Sequence, residues 1–476
     1  MATPTLANHI AGAWSVPPPD ADFLPVTDPA TLNVLARVPL SPAHEVARAI
    51  EAAAAAFPAW RELPAGDRIQ CLFRLKSALE AGLEELAATI VSECGKTLDE
   101  ARAEIRRGIE NVETACGIPL MLQGHHSENV APGIDETMIR QPLGVVAIVT
   151  PFNFPAMIPL WFLPYAIACG NTVVFKPSEK TPLSAERLQR LMIASGVPPG
   201  VVNLLHGERS TVEALLDHPA VRAVSFVGSS AVAQQVYARA AAAGKRAQCQ
   251  GGAKNAVVVL ADADQSGTTQ VLTDSAYGCN GQRCLAASIA IAVGDARAWL
   301  TKDLATAARQ RPVGAVITSQ SKQRIESLIA QGITEGARPV VDGRGHPGQQ
   351  FGATLLDEVR TDGTLAQTEI FGPVLSLIHA ATLEEAIAFV NQQSYGNMAC
   401  LFTRSGAAAR QFKHEAQAGN IGINLGVAAP MAQFPFTGWK GSFFGDLHAQ
   451  GRDAIEFYTD KKVVIERWPQ TLSRKF

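Results

Sequence analysis

The chain has 476 residues, of which 47% are hydrophobic and 18% are charged. This length and composition predict two to three folded domains and exclude a disordered or fibrous protein. The formal net charge is −3 and no basic cluster stands out, so we expect no nucleic-acid partner and no binding to an anionic membrane.

The cysteines and the amino-terminal sequence bear on the compartment. Eight cysteines are scattered without a CxxC pair, so neither a disulfide framework nor a metal site is expected. The first residues, MATPTLANHIAGAW, lack the basic and apolar regions of a secretory signal. The most apolar stretch, residues 156–175, contains two prolines and is expected to be a buried helix and strand rather than a membrane span. We therefore expect a cytoplasmic protein.

Helical patterns come first along the chain. Residues 43–60 and 68–95 carry apolar side chains at helical spacing, and Gly95 is a plausible stop for the second stretch. After residue 143, short β-branched runs alternate with helical stretches. The runs lie at 145–149, 172–175, 201–205 and 223–227, and the helical stretches at 155–168, 185–195, 210–216 and 230–243. This alternation predicts a parallel, doubly wound sheet that binds ligands beyond the carboxyl ends of its strands.

A second α/β series begins near residue 256. It contains apolar runs at 256–260, 289–293 and 373–378 and a helical stretch at 296–311. The fold predicted is therefore two doubly wound α/β domains that face each other across a cleft. Residues 123–142 and the tail after about residue 450 fit neither series, and we expect both to be arms that pack on another subunit.

Two loops of the first series are candidates for nucleotide binding, although a G-x-G-x-x-G motif is absent after its first strand. Gly228 and Ser229 join a strand to a helix, whose amino terminus offers free N–H groups to a phosphate. Lys176 and Glu179 follow another strand and could bond ribose hydroxyls, and the carboxylate would repel a 2′-phosphate. Taken alone, each loop is more typical of an ordinary strand–helix turn or a solvated charged turn.

Gly281-Gln282-Arg283-Cys284 is the candidate nucleophile site. The polar and cationic neighbours of Cys284 favour a lowered thiol pKa, and the thiolate is the reactive form. Most cysteines are small core residues, however, and Arg283 could equally belong to a salt bridge. Asn153, after the first strand of the series, could donate its amide to an oxyanion or could simply form a turn.

These segments in this order resemble the aldehyde dehydrogenase superfamily over nearly the whole chain. The matching segments are TPFNFP (150–155), KPSE (176–179), FVGSS (226–230), GGAK (251–254), GQRC (281–284) and EIFGPV (369–374). The resemblance implies that Cys284 is the nucleophile and that Asn153, with the backbone N–H of Cys284, forms the oxyanion hole. It also implies an NAD site formed by Thr150, Phe152, Lys176, Glu179, Gly228, Ser229, Glu369 and Phe371.

The same resemblance implies a subunit in three parts. An NAD-binding domain would comprise residues 1–122 and 143–249, and a catalytic domain residues 250–449. A small oligomerisation element would comprise residues 123–142 and 450–476. Subunits of this family assemble as homodimers or homotetramers.

One position departs from the hydrolytic members of the family. They carry a glutamate as general base where this chain has Gln250, and an amide has no useful basicity near neutral pH. A thiol such as coenzyme A is already partly ionised and needs less help to attack a thioester.

The chain accordingly resembles the CoA-acylating branch typified by methylmalonate-semialdehyde dehydrogenase. The tail PFTGWKGSFFGDLHAQGRDAIEFYT (435–459) is the most specific match, whereas Ala256 departs from the histidine usual there. The resemblance implies oxidation of methylmalonate or malonate semialdehyde to propanoyl-CoA or acetyl-CoA with loss of CO₂. It also implies that Arg107 and Arg283 bind the substrate carboxylate, for which a guanidinium fork is suited.

Two other readings stay open at this stage. A hydrolytic, CoA-independent aldehyde dehydrogenase of the same fold would act on another aldehyde, but Gln250 disfavours it. A non-catalytic nucleotide-binding paralogue would have no use for Cys284, Asn153 and Glu369 together.

Overall fold

The computed structural model of the protein describes residues 3–17 and 21–468. Its first part forms two small antiparallel pairs of strands and a layer of helices. The strands are β1 Asn8–Ile10, β2 Ala13–Ser15, β3 Phe23–Thr27 and β4 Val34–Pro39. The helices are α1 Ala43–Glu62, α2 Ala65–Arg68, α3 Gln70–Ala81, α4 Leu83–Cys94, α5 Leu98–Cys116 and α6 Ile118–Met121. Two further strands, β5 His125–Ala131 and β6 Ile134–Pro142, follow them.

The helix predicted over residues 68–95 is in fact interrupted. Gly82 ends α3, where its N–H donates to the carbonyl of Ala78, and α4 starts at the next residue. The predicted stop at Gly95 is confirmed, because this residue adopts a left-handed conformation with φ of 75°, which glycine adopts without steric penalty.

The predicted parallel sheet of the first series is confirmed. Its strands and helices are β7 Val145–Val149, α7 Met157–Ala168, β8 Thr172–Lys176, α8 Pro182–Ala194, β9 Val202–Leu204, α9 Arg209–Asp217, β10 Val221–Val227, α10 Ser230–Ala242 and β11 Arg246–Gln250. The strand order β9-β8-β7-β10-β11 is that of a doubly wound sheet. Strand β7 is apolar and fully buried, as expected where helices cover both faces of a sheet.

The second series forms a seven-stranded sheet. Its elements begin with β12 Asn255–Val259, α11 Gln265–Tyr277, β13 Ala287–Val293, α12 Arg297–Arg309, β14 Gly314–Ala315, α13 Ser319–Thr334, β15 Arg338–Val341, β16 Gln350–Phe351 and β17 Thr354–Asp357. They continue with α14 Thr364–Gln367, β18 Val374–Ala380, α15 Leu383–Gln392, β19 Tyr395–Gly396, β20 Met398–Phe402, α16 Gly406–Glu415, β21 Asn420–Ile423 and β22 Trp439–Lys440. Six of the strands, in the order β17-β18-β13-β12-β20-β21, are parallel, and β15 is an antiparallel edge. After β22 the chain returns to the first sheet, where β23 Phe443–Gly445 pairs antiparallel with β11.

The last elements connect the tail to the rest of the subunit. Helix α17, Gly451–Tyr458, packs on α7, and the hydroxyl of Tyr458 lies 2.8 Å from that of Ser225 on β10. Strand β24, Thr459–Glu466, then pairs with β6 in a three-stranded antiparallel sheet of order β24-β6-β5. The two segments that fit neither α/β series therefore lie side by side. Residues 469–476 of the predicted oligomerisation element lie outside the described residues.

The two large sheets meet at the ends of their strands. Strand β11 ends at Gln250 and β12 begins at Asn255, so only four residues join the sheets. This short connection holds the carboxyl ends of the strands of the first sheet against the amino ends of the strands of the second. The cleft predicted between two doubly wound domains is thus lined by opposite ends of the two sets of strands.

Candidate active site

Cys284 lies in the loop between α11 and β13, at the edge where the sheets meet. The same loop has positive φ angles at three consecutive residues: 52° at Cys279, 53° at Asn280 and 68° at Gly281. Backbone of this kind is strained for residues other than glycine and is held only by surrounding contacts. The N–H of Cys279 donates to Glu100 at 2.6 Å, and the amide of Asn280 donates to the carbonyl of Ala315 at 2.8 Å.

Gly281 brings the nucleophile loop into backbone contact with residues 369–373. A side chain at this position would place its Cβ 2.0 Å from the carbonyl oxygen of Gly372. Only glycine therefore permits the contact, which brings the segment of Glu369 and Phe371 against the loop of Cys284.

The surroundings of Cys284 raise the pKa of its thiol to about 12. Burial is the largest cause, and the Glu369 carboxylate adds to it, while the backbone N–H groups of Cys284 and Leu285 act in the opposite direction and lower the pKa. The lowered pKa predicted from the cationic neighbour is therefore wrong for the free enzyme. The guanidinium of Arg283 donates to the carbonyls of Asp274 and, at 2.8 Å, Ser275, so it lowers the pKa only slightly.

Asn153 is buried beside the nucleophile loop. Its amide Nδ2 donates to the carbonyl of Gln282 at 2.9 Å. One N–H of the amide is used in this bond, and the second is left for another acceptor. The structure therefore brings Asn153 and Cys284 together, as predicted.

A single helix contacts the loops of both residues. On α5, Glu104 accepts from the N–H groups of Ala156 and Met157 at 2.9 and 3.1 Å, just after the Asn153 loop. One turn earlier, Glu100 binds the nucleophile loop at Cys279. Glu104 also forms a buried ion pair with Lys96 at 2.5 Å, and Lys96 lies over the Phe154 ring.

The predicted nucleotide-binding residues surround the carboxyl edge of the first sheet. The N–H of Thr150 donates to the carbonyl of Lys176, and Lys176 Nζ is 3.4 Å from a Glu179 oxygen. Gly228 and Ser229 precede α10, whose amino terminus has no side-chain cap. Free N–H groups there suit a phosphate.

The second sheet contributes Glu369 and Phe371. Glu369 accepts from the N–H of Ala253 at 2.8 Å, and Phe371 meets Phe152 edge to face at 5.9 Å between ring centres. Burial raises the pKa of the Glu369 carboxyl. The uncapped helix, the Lys176–Glu179 pair and this buried carboxylate together fit a dinucleotide.

A cavity of about 190 Å³ leads to Cys284. Its walls are mainly apolar and include Phe154, Met157, Trp161, Leu285 and Phe436. Both predicted carboxylate ligands, Arg107 and Arg283, also line it. Arg107 contacts Glu110 and the carbonyl of Pro430, while Nε of Arg283 is buried without a partner among the described residues. Glu100 and Glu104 line the cavity as well, but both accept from backbone N–H groups of the adjoining loops. The cavity therefore offers two guanidinium groups beside mainly apolar walls.

Gln250 is also near this cavity, because its amide donates to the carbonyl of Phe436 at 2.8 Å. It is buried and remains an amide that cannot take up a proton at neutral pH.

Sequence reasoning missed several residues around the site. Asn255 and Asn397 both donate to the carbonyl of Cys284, and Glu100 and Glu104 hold the two loops described above. Lys254 is buried without a hydrogen-bond partner among the described residues, and burial lowers its pKa to about 7. Of these, Lys254 carried a signal in the sequence, since it lies in the GGAK segment of the resemblance, and Asn255 directly follows that segment.

In the described part of the chain, Asp357, Glu358 and His379 form the sole group with the proximity needed for a metal ion, but Asp357 is already paired with Arg338 and His379. None of the helices in residues 3–17 and 21–468 is both long and apolar enough to cross a membrane.

Comparison with known proteins places these features in context. The profile of the aldehyde dehydrogenase family matches residues 16–464. Malonate-semialdehyde dehydrogenase 1 of Geobacillus thermodenitrificans is 46% identical over 98% of this chain and 99% of its own length. The Pseudomonas aeruginosa malonate-semialdehyde dehydrogenase is 44% identical over 94% of each chain.

Solved structures give the same result. Methylmalonate-semialdehyde dehydrogenase of Oceanimonas doudoroffii superposes with a TM-score of 0.97 and is 42% identical, covering 99% of this chain and 100% of its own. A Sinorhizobium meliloti protein solved in complex with NAD also gives a TM-score of 0.97, with 39% identity and 99% coverage of both chains.

The buried ion pair on α5 yields a stability prediction. Glu104→Gln leaves the Lys96 ammonium buried without its counter-ion, so we expect a loss of about 3–5 kcal/mol in the free energy of unfolding. Adding Lys96→Met should recover part of this loss, and urea denaturation measures both effects. The control is the exposed ion pair of Arg102, on α5 like Glu104, with Glu84 on α4, and Arg102→Gln should change stability little. A Glu104→Gln enzyme as stable as this control would contradict the prediction.

The raised pKa of Cys284 predicts the pH dependence of its alkylation. Below its pKa, the thiolate fraction of a thiol rises about tenfold per pH unit, so iodoacetamide should label Cys284 of the free enzyme with a rate that increases without a plateau from pH 7 to 9. Glu369→Gln removes a cause of the raised pKa and should accelerate labelling at each pH. Glu179→Gln is the control, because it makes the same charge change elsewhere in the cleft and should leave the labelling rate of Cys284 unchanged. Peptide mass spectrometry follows the labelling, and a plateau below pH 9 would contradict the assignment.

Proposed function

The chain belongs to the aldehyde dehydrogenase family, and we propose that it is an NAD-dependent, CoA-acylating semialdehyde dehydrogenase. Its substrates are methylmalonate semialdehyde or malonate semialdehyde, and its products are propanoyl-CoA or acetyl-CoA, CO₂ and NADH. The carrying observation is the cavity that joins Cys284 to Arg283 and Arg107. The names of the relatives, 44–46% identical over nearly the whole chain, support the same substrate class.

In the proposed reaction, the thiol of Cys284 loses its proton to solvent and the resulting thiolate attacks the aldehyde carbon. The carbonyl oxygen then becomes an oxyanion, which accepts the free amide N–H of Asn153 and the backbone N–H of Cys284. Donors placed where charge develops are typically worth about 3–4 kcal/mol each. Bound NAD supplies the acceptor of the hydride. The product of this half of the reaction is a thioester on Cys284.

The second half of the reaction transfers the acyl group. A malonyl-type thioester loses CO₂ when the electrons of the broken C–C bond move into the thioester carbonyl, and the resulting enolate takes up a proton. The thiolate of coenzyme A then displaces Cys284. Gln250 cannot activate water for the competing hydrolysis, which favours CoA as the acceptor.

The guanidinium groups that line the cavity act earlier, when the substrate binds. The substrate carries a carboxylate two bonds from its aldehyde carbon, and its burial in an apolar cavity requires a counter-charge. Arg283 adjoins the nucleophile, and Arg107 lies on α5 facing the same cavity. We assign carboxylate binding to both.

Assembly and location complete the proposal. The β24-β6-β5 sheet exposes Val463 and Ile465 on one face and Ile139, which is paired with Lys462, on the other. Exposed apolar side chains of this kind are typical of an interface. We propose that residues 123–142 and the tail from 450 form the contact of a homodimer or homotetramer. Residues 1–122 and 143–249 then form the NAD-binding domain, 250–449 the catalytic domain, and the enzyme acts in the cytoplasm.

The acyl acceptor gives the direct test of this function. With malonate semialdehyde and NAD, we expect steady NADH formation when CoA is present, and acetyl-CoA identified by mass spectrometry. Without CoA, NADH formation should stop after about one equivalent per subunit, because the thioester is not hydrolysed efficiently. Cys284→Ala should abolish both phases. Equal steady rates with and without CoA would show a hydrolytic enzyme instead.

Substrate preference tests the role of Arg283. Arg283→Leu removes a charged hydrogen-bond donor, so the KM for malonate semialdehyde should rise by about 10- to 100-fold, and the KM for propanal, which has no carboxylate, should change far less. Arg311→Leu is the matched control, because Arg311 also binds Asp274 but does not line the cavity of Cys284. Equal effects of Arg283→Leu on both substrates would contradict the assignment.

A further inference from the structure

Two buried asparagines converge on one carbonyl group of the nucleophile. The Nδ2 atoms of Asn255 and Asn397 lie 2.8 and 2.9 Å from the carbonyl oxygen of Cys284, and both side chains are almost fully buried. Asn255 is the first residue of β12, and Asn397 directly precedes the neighbouring β20. The two donors therefore come from adjacent parallel strands, at the edge that faces the cofactor loops.

The sheet fixes the amide of Asn255 and the backbone of Asn397. The Oδ1 of Asn255 accepts from the N–H of Met398 at 3.1 Å, and its Nδ2 also donates to the carbonyl of Ala286. The backbone carbonyl of Asn397 accepts from both the N–H and the amide of Asn420, at 3.0 and 2.9 Å. The amide of Asn255 therefore cannot turn away from Cys284 without breaking bonds of the sheet, and the amide of Asn397 reaches Cys284 from a backbone that the sheet holds in place.

The held carbonyl determines where the next N–H points. In a planar trans peptide, the C=O of one residue and the N–H of the next point in opposite directions, and no cis peptide occurs among the described residues. The N–H of Leu285 shares a peptide group with the carbonyl of Cys284, so it points away from the two asparagine amides, and it acts to lower the pKa of the Cys284 thiol. Donors on the oxygen also polarise the peptide group and make its N–H a stronger donor.

We propose that Asn255 and Asn397 are positioning residues that hold the Cys284–Leu285 peptide group with its N–H directed at the nucleophilic sulfur and thereby stabilise the thiolate. This inference rests on the proposed role of Cys284. Neither residue touches the substrate, and both act through the peptide group.

A purely structural role accounts poorly for Asn397. A carbonyl oxygen is already satisfied by one donor, and Asn255 supplies it. The Oδ1 of Asn397 is buried without a hydrogen-bond partner among the described residues, which costs free energy. The hydrogen bond from Asn397 to the carbonyl of Cys284 is therefore the interaction that offsets the cost of burying Oδ1 of Asn397.

The reactivity of the thiol tests the proposal. In the native full-length enzyme, Asn397→Ala should slow iodoacetamide labelling of Cys284 at pH 8 by roughly tenfold, which corresponds to about one pKa unit, and shift the pH profile upwards. The kcat for NADH formation should fall with little change in the KM for the aldehyde. Asn397→Asp keeps the shape of the side chain, but an ionised aspartate has no hydrogen-bond donor. The labelling rate of this variant should therefore fall at least as much as that of Asn397→Ala.

The controls separate this role from folding. Asn203→Ala removes an equally buried amide that also bonds two backbone carbonyls, but in the first sheet, and its labelling profile should match that of the parent enzyme. If Asn397→Ala does not fold, Asn255→Ser provides the same test. A folded variant with the parent rate and pH profile overturns the proposal. Parent enzyme that keeps its activity after complete labelling of Cys284 would instead overturn the proposed function.

Discussion

The short connection between the two large sheets is the constraint on which the site depends. Four residues, 251–254, join the end of β11 to the start of β12, and an extended chain of that length spans at most about 18 Å counted over five peptide units. The carboxyl edge of one sheet must therefore meet the amino edge of the other. Glycines and free backbone N–H groups of the first edge suit a nucleotide, while the second edge supplies the nucleophile loop and Glu369.

Helix α5 completes this arrangement from one side. Its Glu104 side chain satisfies two N–H groups at the start of α7, and Glu100 satisfies one in the nucleophile loop. The loop of Asn153 and the loop of Cys284 belong to different sheets, so their separation is set by contacts to a common helix. The buried ammonium of Lys96 also donates to Glu104, so the two carboxyl oxygens of this residue accept from one side chain and two backbone N–H groups.

Sequence patterns predicted the strands and helices well because the parallel strands are apolar on both faces and short turns separate them from helices. They also predicted which segments lie together at the site, through the resemblance of six short motifs to one family. The interruption at Gly82 was missed, because apolar spacing continues across it. The thiol pKa of Cys284 was predicted in the wrong direction: adjacency of Arg283 in sequence says nothing about its guanidinium, which turns to the end of α11. Asn397 gave no signal, since its role depends on the direction of one side chain.

The glycine contact between the nucleophile loop and residues 369–373 has a consequence for how this enzyme can diverge. Gly281 and Gly372 touch through backbone atoms alone. A larger residue at 281 therefore cannot be accommodated by a second substitution to a smaller side chain, because no side chain lies between them. Any residue larger than glycine at 281 requires the backbone of both loops to move, and with it the spacing between the sulfur and the buried Glu369 carboxylate. Changes of substrate within this architecture are thus confined to the cavity walls, where side chains can be exchanged without disturbing that spacing.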